Sequence, residues 1–286
     1  NLTLDWLQRL PTALSPDSMA SPYSIALLDM AVAAESIVSL WARNLSFGSE
    51  RAARAKLNSG YLANPAGCGL AIGLQVEDSD LRRLVGVIFL HERRMHWGRR
   101  VLAVTNLADY AVEPDHRTLG PALMLMKRAV KEARARVELV YGLPNRKSSA
   151  VCSRAGLRQL GALQRHVRVL SVRSYLARSL PALPAAALAA VLDPVLAAAA
   201  WIRDRRYGDS LRFEPIDFDS PQVDAIWAAR PHDLLLSERT SATLRWRFGH
   251  DHATPWQLCL ARDRSGTPRG LVVWRLKDGM AEVLGL

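Results

Sequence analysis

The alternation of apolar and polar positions divides the first part of the chain into helices and strands of ordinary length. Apolar residues spaced three and four apart predict helices at 31–44, 49–61, 118–136 and 148–155. Short apolar runs between turn residues predict strands at 23–29, 69–76, 83–91, 101–112, 138–143 and 160–170. The residues before them, 1–20, show little periodicity and are predicted to form an N-terminal arm. This order of elements predicts a mixed α/β, or α+β, domain over 21–172.

The order strand, helix, helix, strand, strand returns near the end of the chain. Trp41 and Trp227 are 186 residues apart, and Leu57 and Leu244 are 187 residues apart. Nearly constant offsets in the same order of elements indicate two copies of one fold, so 209–286 is predicted to be a partial second copy. The copy is either truncated or degenerate, and in the second case it serves as a lid or a binding wall.

The segment between the two copies, 173–208, is rich in alanine, leucine and proline. Its apolar run raises the question of a membrane span, but several prolines and Asp193 interrupt it. One interpretation is a helical linker packed between the copies. The other is a helix that contacts a membrane surface through 180–206, because arginines flank the run; they are Arg178, Arg203, Arg205 and Arg206.

Composition changes this picture only through charge and cysteine content. With 49% hydrophobic and 23% charged residues, the chain is not a disordered, collagen-like or disulfide-scaffold protein. A net charge of +11 suits a nucleic acid, an anionic membrane or a phosphorylated ligand, or simply reflects solvated basic faces. No nucleic-acid-binding motif accompanies the charge, so no nucleic-acid partner is expected. Cys68, Cys152 and Cys259 lack metal-ligand and disulfide spacing, so we expect a cytoplasmic protein without a metal.

The turn before the third predicted helix has the chemistry of a phosphate-binding loop. A helix N-terminus presents free N–H groups and the positive end of its dipole, and a pyrophosphate is a natural occupant of such a site. Gly120 lets the backbone approach an anion closely, the small Ala122 avoids crowding, and Arg117 adds positive charge. Thr118 and Leu119 complete the turn. The other interpretation is an ordinary strand-to-helix turn.

This turn and its surroundings resemble the GNAT superfamily of acyl-CoA-dependent N-acyltransferases. The acyl-CoA loop of that superfamily (Arg or Gln, two residues, Gly, one residue, then Gly or Ala) is matched by Arg117, Gly120 and Ala122. The Val-x-Pro before the loop, the Asn after the fifth strand and the Gly eleven residues further on are matched by Val112, Pro114, Asn145 and Gly156. A Leu replaces the Phe that usually follows that Gly. The resemblance covers about 23–170.

The resemblance implies a central mixed, mostly antiparallel sheet flanked by helices, with 209–286 as a partial second unit of the same type. It implies acetyl-CoA, or another acyl-CoA, as co-substrate and no metal. In the superfamily the pantetheine arm enters a gap where the fourth strand splays from the fifth. By this resemblance the thioester lies beside the backbone of Tyr110 and Val112. The diphosphate lies on the turn, and Asn145 at the end of the fifth strand also binds the cofactor; the residues of the turn are Arg117, Thr118, Leu119, Gly120 and Ala122.

Two residues are candidates for proton transfer. Asp109 is the first candidate for a general base that deprotonates the amine, and a solvated or capping carboxylate is the other interpretation. Cys152 stands seven residues after Asn145, where the superfamily often has a Tyr as general acid. Its thiol either donates a proton or is a buried packing group. Pro121 removes one N–H from the phosphate-binding turn, which predicts weaker phosphate binding.

These features together predict an acyltransferase that transfers an acyl group, in the first place acetyl, to an amine by direct attack on the thioester. The acceptor is expected to be a small molecule or a saccharide. The segment 243–248 resembles tandem members that accompany bacterial exopolysaccharide systems, which suggests a cell-surface polysaccharide. The alternative is a non-catalytic GNAT-like module that binds acyl-CoA or a protein partner.

Overall fold

The structure of the protein, a computed structural model, describes residues 21–78, 81–169, 171–177, 180–206, 211–249 and 254–285. The predicted arm at 1–20 lies outside the described residues. Two β-sheets and the helices packed on them account for most of the described chain.

The first sheet is mixed and mostly antiparallel, as predicted. Its main strands lie side by side in the order β1 (Tyr23–Leu28), β2 (Leu70–Asp78), β3 (Leu81–Trp97), β4 (Arg100–Val112) and β5 (Leu139–Gly142). Among the described strands of this sheet, β4 and β5 alone are parallel. One face carries α1 (Met30–Asn44) and α2 (Glu50–Leu57), and the other carries α3 (Leu119–Arg134) and α4 (Arg146–Arg154). The predicted class, a mixed sheet flanked by helices, is confirmed.

Short polar side chains begin three of these helices. Asp29, Ser49 and Asn145 each accept hydrogen bonds from backbone N–H groups in the first turn of α1, α2 and α4, respectively. Such caps satisfy donors that have no partner inside the helix, so they fix where each helix begins. A π-helical turn at Asn58–Leu62 replaces the end of the helix predicted over 49–61.

Side chains of β3 alternate between two separate cores. Ile88 and Leu90 pack against the apolar side of α3, whereas Val87 and Phe89 pack against α1 and α2. All four side chains are 2% exposed or less. Because a strand sends successive side chains to opposite faces, one apolar strand anchors both helical layers and holds the sheet between them.

The second sheet repeats the strand order of the first. It contains β6 (Arg212–Ile216), β8 (Gln257–Arg262), β9 (Pro268–Lys277) and β10 (Met280–Gly285), and β8 lies between β6 and β9 just as β2 lies between β1 and β3. Between β6 and β8 the chain forms α7 (Pro221–Ala228) and α8 (Ser241–Phe248), which pack on this sheet. The strand β7 (Leu235–Ser237) instead pairs with the far end of β3.

The structure corrects two predicted strands. The strand predicted at 160–170 is wrong, because 160–169 has no strand pairing and Leu160 and Leu163 are 84% and 83% exposed. Alternating residues form a strand only where a neighbouring edge accepts their hydrogen bonds, and here none of the described strands does. The strand predicted at 83–91 extends to Trp97, because its second half pairs with both β4 and β7.

Two helices connect the two sheets. A short α5 (Arg173–Leu176) is followed by a long α6 (Ala182–Arg206), which contains Pro194. Asp193 of α6 accepts hydrogen bonds from the Ser171 hydroxyl and the Val172 N–H, so it holds the start of α5 against the middle of α6. The segment is helical, as both interpretations of the sequence required.

Candidate functional site

The strands β4 and β5 part halfway along β4. Their pairing runs from Val104 opposite Leu139 to Leu107 opposite Gly142 and then ends. The strand β4 continues to Val112, while the chain after Gly142 turns into α4. On this side, residues 108–112 therefore pair with no other strand in the described part of the chain. We call this unpaired edge of β4, beyond the end of β5, the gap.

A β-bulge marks the place where the strands part. Between Ala108, which pairs with Phe89, and Ala111, which pairs with Val87, β4 contains one residue more than β3. Asp109 takes a left-handed backbone conformation there, with φ 48°. Such bulges re-aim backbone groups and are frequent next to binding sites.

The turn at the start of α3 is open. Thr118 precedes the helix in an extended conformation, and its side chain does not cap it. Within the described residues, the Leu119 and Gly120 N–H groups make no hydrogen bond. A Cβ added at Gly120 would have no atom within 4 Å. The turn thus leaves free N–H groups at the positive end of a helix of 16 residues, which is a suitable site for an anion.

Two hydrogen bonds join this turn to the gap. The Tyr110 hydroxyl donates to the Ala122 carbonyl oxygen over 3.0 Å, and the Arg117 Nε donates to the Val112 carbonyl oxygen over 2.7 Å. The turn and the open part of β4 therefore form one continuous site. A second nitrogen of the Arg117 guanidinium, Nη2, donates to Oδ1 of Asn44 over 2.7 Å. Arg117 consequently positions the turn against α1, in addition to contributing its charge.

Cys152 and Tyr110 belong to the core beneath the gap. Burial raises the pKa of the Cys152 thiol, and burial together with Cys152 raises the pKa of the Tyr110 hydroxyl. Both groups are therefore protonated at neutral pH. A protonated thiol is a poor nucleophile, so the structure favours packing or proton donation for Cys152. Asn145, at the end of β5, uses its side chain to cap α4.

The carboxylate of Asp109 lies on the opposite face of the sheet, towards α2. The Tyr61 hydroxyl donates to its Oδ2, and the Lys56 Nζ lies 3.8 Å from the same oxygen. Its backbone carbonyl oxygen accepts a hydrogen bond from the Trp41 indole over 3.3 Å. With its side chain 20% exposed, Asp109 is neither a solvated surface carboxylate nor a helix cap. It is the acidic member of a partly buried polar cluster at the bulge.

The likeness of this chain to known proteins lies in its fold. No family model matches the sequence, and no curated protein matches it. Solved structures do match. A GCN5-related N-acetyltransferase from Anabaena variabilis is 12% identical with a TM-score of 0.54, and the match covers 91% of this chain and 57% of that one. A conserved protein of unknown function from Enterococcus faecalis, a probable N-acyltransferase, is 11% identical with a TM-score of 0.51, covering 91% and 56%.

The chain has the GNAT fold. The predicted recognition of this fold is confirmed, and the chain spans just over half the length of the two structures. In GNAT-fold terms, the parted strands are the fourth and fifth, and the open turn is the one predicted to bind the diphosphate.

Sequence reasoning missed His91, which lies beside the Asp109 cluster. Its Nε2 and the Oδ1 of Asn106 are buried atoms without a hydrogen-bond partner among the described residues. The two residues are paired across β3 and β4, and Asn106 is paired in turn with Tyr141 of β5. Buried polar atoms without partners are rare, so they mark a place where a ligand or water completes the bonding. The available sequence signal was a histidine directly after the apolar run of β3, where Glu92 and two arginines follow it.

A residue of the second half of the chain, Trp246, packs against this part of the GNAT fold. The Trp246 indole of α8 donates to the Ser59 carbonyl oxygen over 2.6 Å. Its ring centre lies 5.6 Å from that of His91, and the Arg93 guanidinium lies over the ring at 4.7 Å. The polar cluster is therefore enclosed by residues from both halves of the chain.

His91 should make folding sensitive to acid. Burial, together with the charges of Arg93 and Lys56, lowers the pKa of His91 from 6.5 to about 3. Between these two values the unfolded chain binds a proton that the folded chain does not, so the free energy of unfolding falls as pH falls. The slope is about 1.4 kcal/mol per pH unit.

A variant comparison isolates this effect. Urea unfolding at several pH values between about 7 and 4 should show a shallower slope for His91→Gln than for the unmodified chain. The control is His232→Gln, the same substitution at an exposed histidine. Equal slopes for all three proteins would show that His91 titrates normally.

Proposed function

We propose that the chain is an acyl-CoA-dependent N-acyltransferase that uses acetyl-CoA. The observation that carries the proposal is the gap between β4 and β5, which opens directly beside the uncapped turn of α3. This juxtaposition suits a ligand with a diphosphate at one end and an extended thiol-bearing arm at the other. The GNAT fold and the names of the two structural neighbours support it.

Each part of the site has a task in this proposal. The N–H groups of Leu119 and Gly120 bind diphosphate oxygens, and the helix dipole adds to their attraction. The open backbone of 108–112 pairs with the pantetheine arm as a neighbouring strand would. A backbone N–H near the bulge then faces the thioester oxygen and stabilises the negative charge that develops there.

The acceptor amine approaches from the α2 side, where Asp109 and His91 lie. Asp109 accepts the proton that the amine loses as its nitrogen bonds to the acyl carbon. The carbon–sulfur bond then breaks, and the released thiolate takes a proton from the Cys152 thiol or from water. Lys56 and Tyr61 hold the Asp109 carboxylate in place. Orientation of amine and thioester supplies much of the rate.

An Asp109→Asn variant tests the assignment of the base. Asparagine tolerates the left-handed backbone at φ 48°, so the bulge should persist. We expect kcat to fall by about 100-fold to 10,000-fold, the usual contribution of general base catalysis, while acetyl-CoA affinity stays unchanged. The readout is thiol release from acetyl-CoA in the presence of a panel of amines, including amino sugars.

The control for this variant is Asp115→Asn, which makes the same chemical change at an exposed carboxylate close to the turn. It should retain full activity. Equal activity of Asp109→Asn and the unmodified chain would remove Asp109 from the mechanism.

A second candidate function is an acyl-CoA-binding module without turnover. One observation favours it: the position where the superfamily often has a Tyr as general acid holds Cys152, a core thiol whose pKa is raised by burial, which makes it a poor proton donor to the leaving thiolate. The same assay separates the two functions. Saturable acetyl-CoA binding without thiol release for any amine supports the module.

The remaining assignments are part of the proposal. We assign 21–172 as the acyltransferase unit, 173–208 as the linker and 209–286 as a partial second GNAT-like unit. The matching strand order of the two sheets and the contact of Trp246 with His91 support a wall-forming role for that second unit. The proposal also includes a small-molecule or saccharide amine as acceptor and a cytoplasmic location. It further includes a link to a cell-surface polysaccharide, which the sequence of 243–248 suggests.

A further inference from the structure

The helix α6 exposes bulky apolar side chains and buries small ones. Ala185 and Ala189 are 1% and 3% exposed, whereas Val191, Val195 and Ile202 are 65%, 62% and 53% exposed. The exposed residues recur at the spacing of a single helix face. A helix of a water-soluble domain normally shows the reverse arrangement, so this face is suited to an apolar environment other than the protein's own core.

By length and composition, the part Ala182–Ile202 could cross a lipid bilayer. The pairing of the two halves of the chain argues against a crossing. The strand β7, which follows α6, pairs with β3, which precedes it, and Trp246 bonds to Ser59 in the same way. A single crossing would place these partners on opposite sides of the membrane. Any contact of this helix with a bilayer is therefore made from one side.

The surroundings of α6 are strongly basic. Residues 157–206 contain eight arginines and two aspartates. One of the aspartates, Asp193, accepts hydrogen bonds from Ser171 and Val172. Near the C-terminal end of the helix, the Arg205 guanidinium lies over the ring of Trp201 at 4.4 Å, and Trp201 is 59% exposed. Tryptophan and arginine at a helix end are suited to the headgroup region of a membrane.

A second apolar and basic segment leads into this helix. In 157–169 the exposed side chains of Leu160, Leu163 and Val167 are interspersed with three arginines, and this stretch forms neither a helix nor a strand. The segment runs to Ser171, which is bonded to Asp193 of α6. The two segments therefore meet at the middle of α6.

We propose that α6, together with 157–169, binds the surface of an anionic phospholipid bilayer, with α6 lying parallel to the membrane plane. The apolar face of Val191 and Val195 enters the boundary between headgroups and acyl chains, and the arginines bind lipid phosphates. Because the apolar face lies within a segment that carries eight arginines, the partner must be both apolar and anionic. An anionic bilayer meets both conditions. This binding is independent of the proposed transferase activity.

Vesicle flotation of the chain tests the proposal. Vesicles of phosphatidylcholine with about 30% phosphatidylserine should carry at least about tenfold more protein than vesicles of phosphatidylcholine alone. Raising the salt concentration to about 0.5 M should release most of it, because screening weakens the attraction of the arginines. A helix that crosses the bilayer would resist such release.

A pair of variants separates specific from general effects. Val191→Glu/Val195→Glu should lower flotation at least about tenfold, since two carboxylates would enter the apolar boundary. Val32→Glu/Val283→Glu makes the same charge change at two valines that are 83% and 61% exposed elsewhere, and it should float like the unmodified chain. Circular dichroism checks that both variants are folded.

Three results would overturn the proposal. The first is that the chain does not float with vesicles that contain phosphatidylserine. The second is equal flotation of both double variants. The third is a dimer, seen by light scattering, that Val191→Glu/Val195→Glu dissociates, since a second copy of the chain would then cover this face.

Discussion

A Gly120→Trp variant should lose acetyl-CoA binding while the fold is retained. A side chain at Gly120 meets no atom within 4 Å in the protein itself, so the indole has room in the absence of ligand. In the proposed complex with acetyl-CoA, the diphosphate occupies that room, and the indole would fill it. We expect the dissociation constant to rise at least about 100-fold, equivalent to about 2.7 kcal/mol, in isothermal titration calorimetry.

The control is the same substitution at another open glycine. Gly161 likewise has no atom within 4 Å of an added Cβ, and it lies in the segment after α4 that forms neither a helix nor a strand. Gly161→Trp should bind acetyl-CoA like the unmodified chain, and both variants should keep the unmodified melting temperature. Unchanged affinity of Gly120→Trp would place the ligand elsewhere, or nowhere, on the chain.

A Phe89→Ala variant should be the most destabilising single change in the first sheet. Phe89 is completely buried, and its ring centre lies 4.2 Å from that of Tyr61 and 4.8 Å from that of Trp41. Truncation leaves a cavity between the sheet and the helices α1 and α2. Buried phenylalanine truncations cost about 3–5 kcal/mol in the free energy of unfolding, which urea titration measures.

The comparison is with Phe213→Ala on β6, where the side chain is 59% exposed. That variant should lose less than about 1 kcal/mol, because little packing is removed. A loss of similar size for both variants would mean that Phe89 is not packed as the structure has it. The cluster around Tyr61 and Asp109 would then need a different arrangement.

The sequence predicts those elements whose signals are local. The caps Asp29, Ser49 and Asn145 lie next to the helices that they begin, and the glycine of the open turn lies at the start of its own helix. The repeat was recognised because Trp41 and Trp227 occupy the same place in a repeated order of elements, as do Leu57 and Leu244. Local chemistry and periodicity were sufficient for these features.

Features that depend on a distant partner could not be predicted in this way. The residues 160–169 alternate like a strand, but no described strand lies beside them. Arg117 meets Asn44, which is 73 residues away, and His91 meets Trp246, which lies in the other half of the chain. His91 and Trp246 come together because α8 packs on the π-helical turn of the first half. No local pattern in the sequence indicates that α8 packs on this turn.

The proposed function depends most directly on where acetyl-CoA binds. In a nitrogen-15 NMR titration of the labelled chain, the amide resonances of Leu119, Gly120 and Tyr110 should move together and saturate with one binding constant. Leu119 and Gly120 report the diphosphate, and Tyr110 reports the arm in the gap beside β4. If these three resonances stay fixed at millimolar acetyl-CoA, the parted strands and the open turn are not an acyl-CoA site.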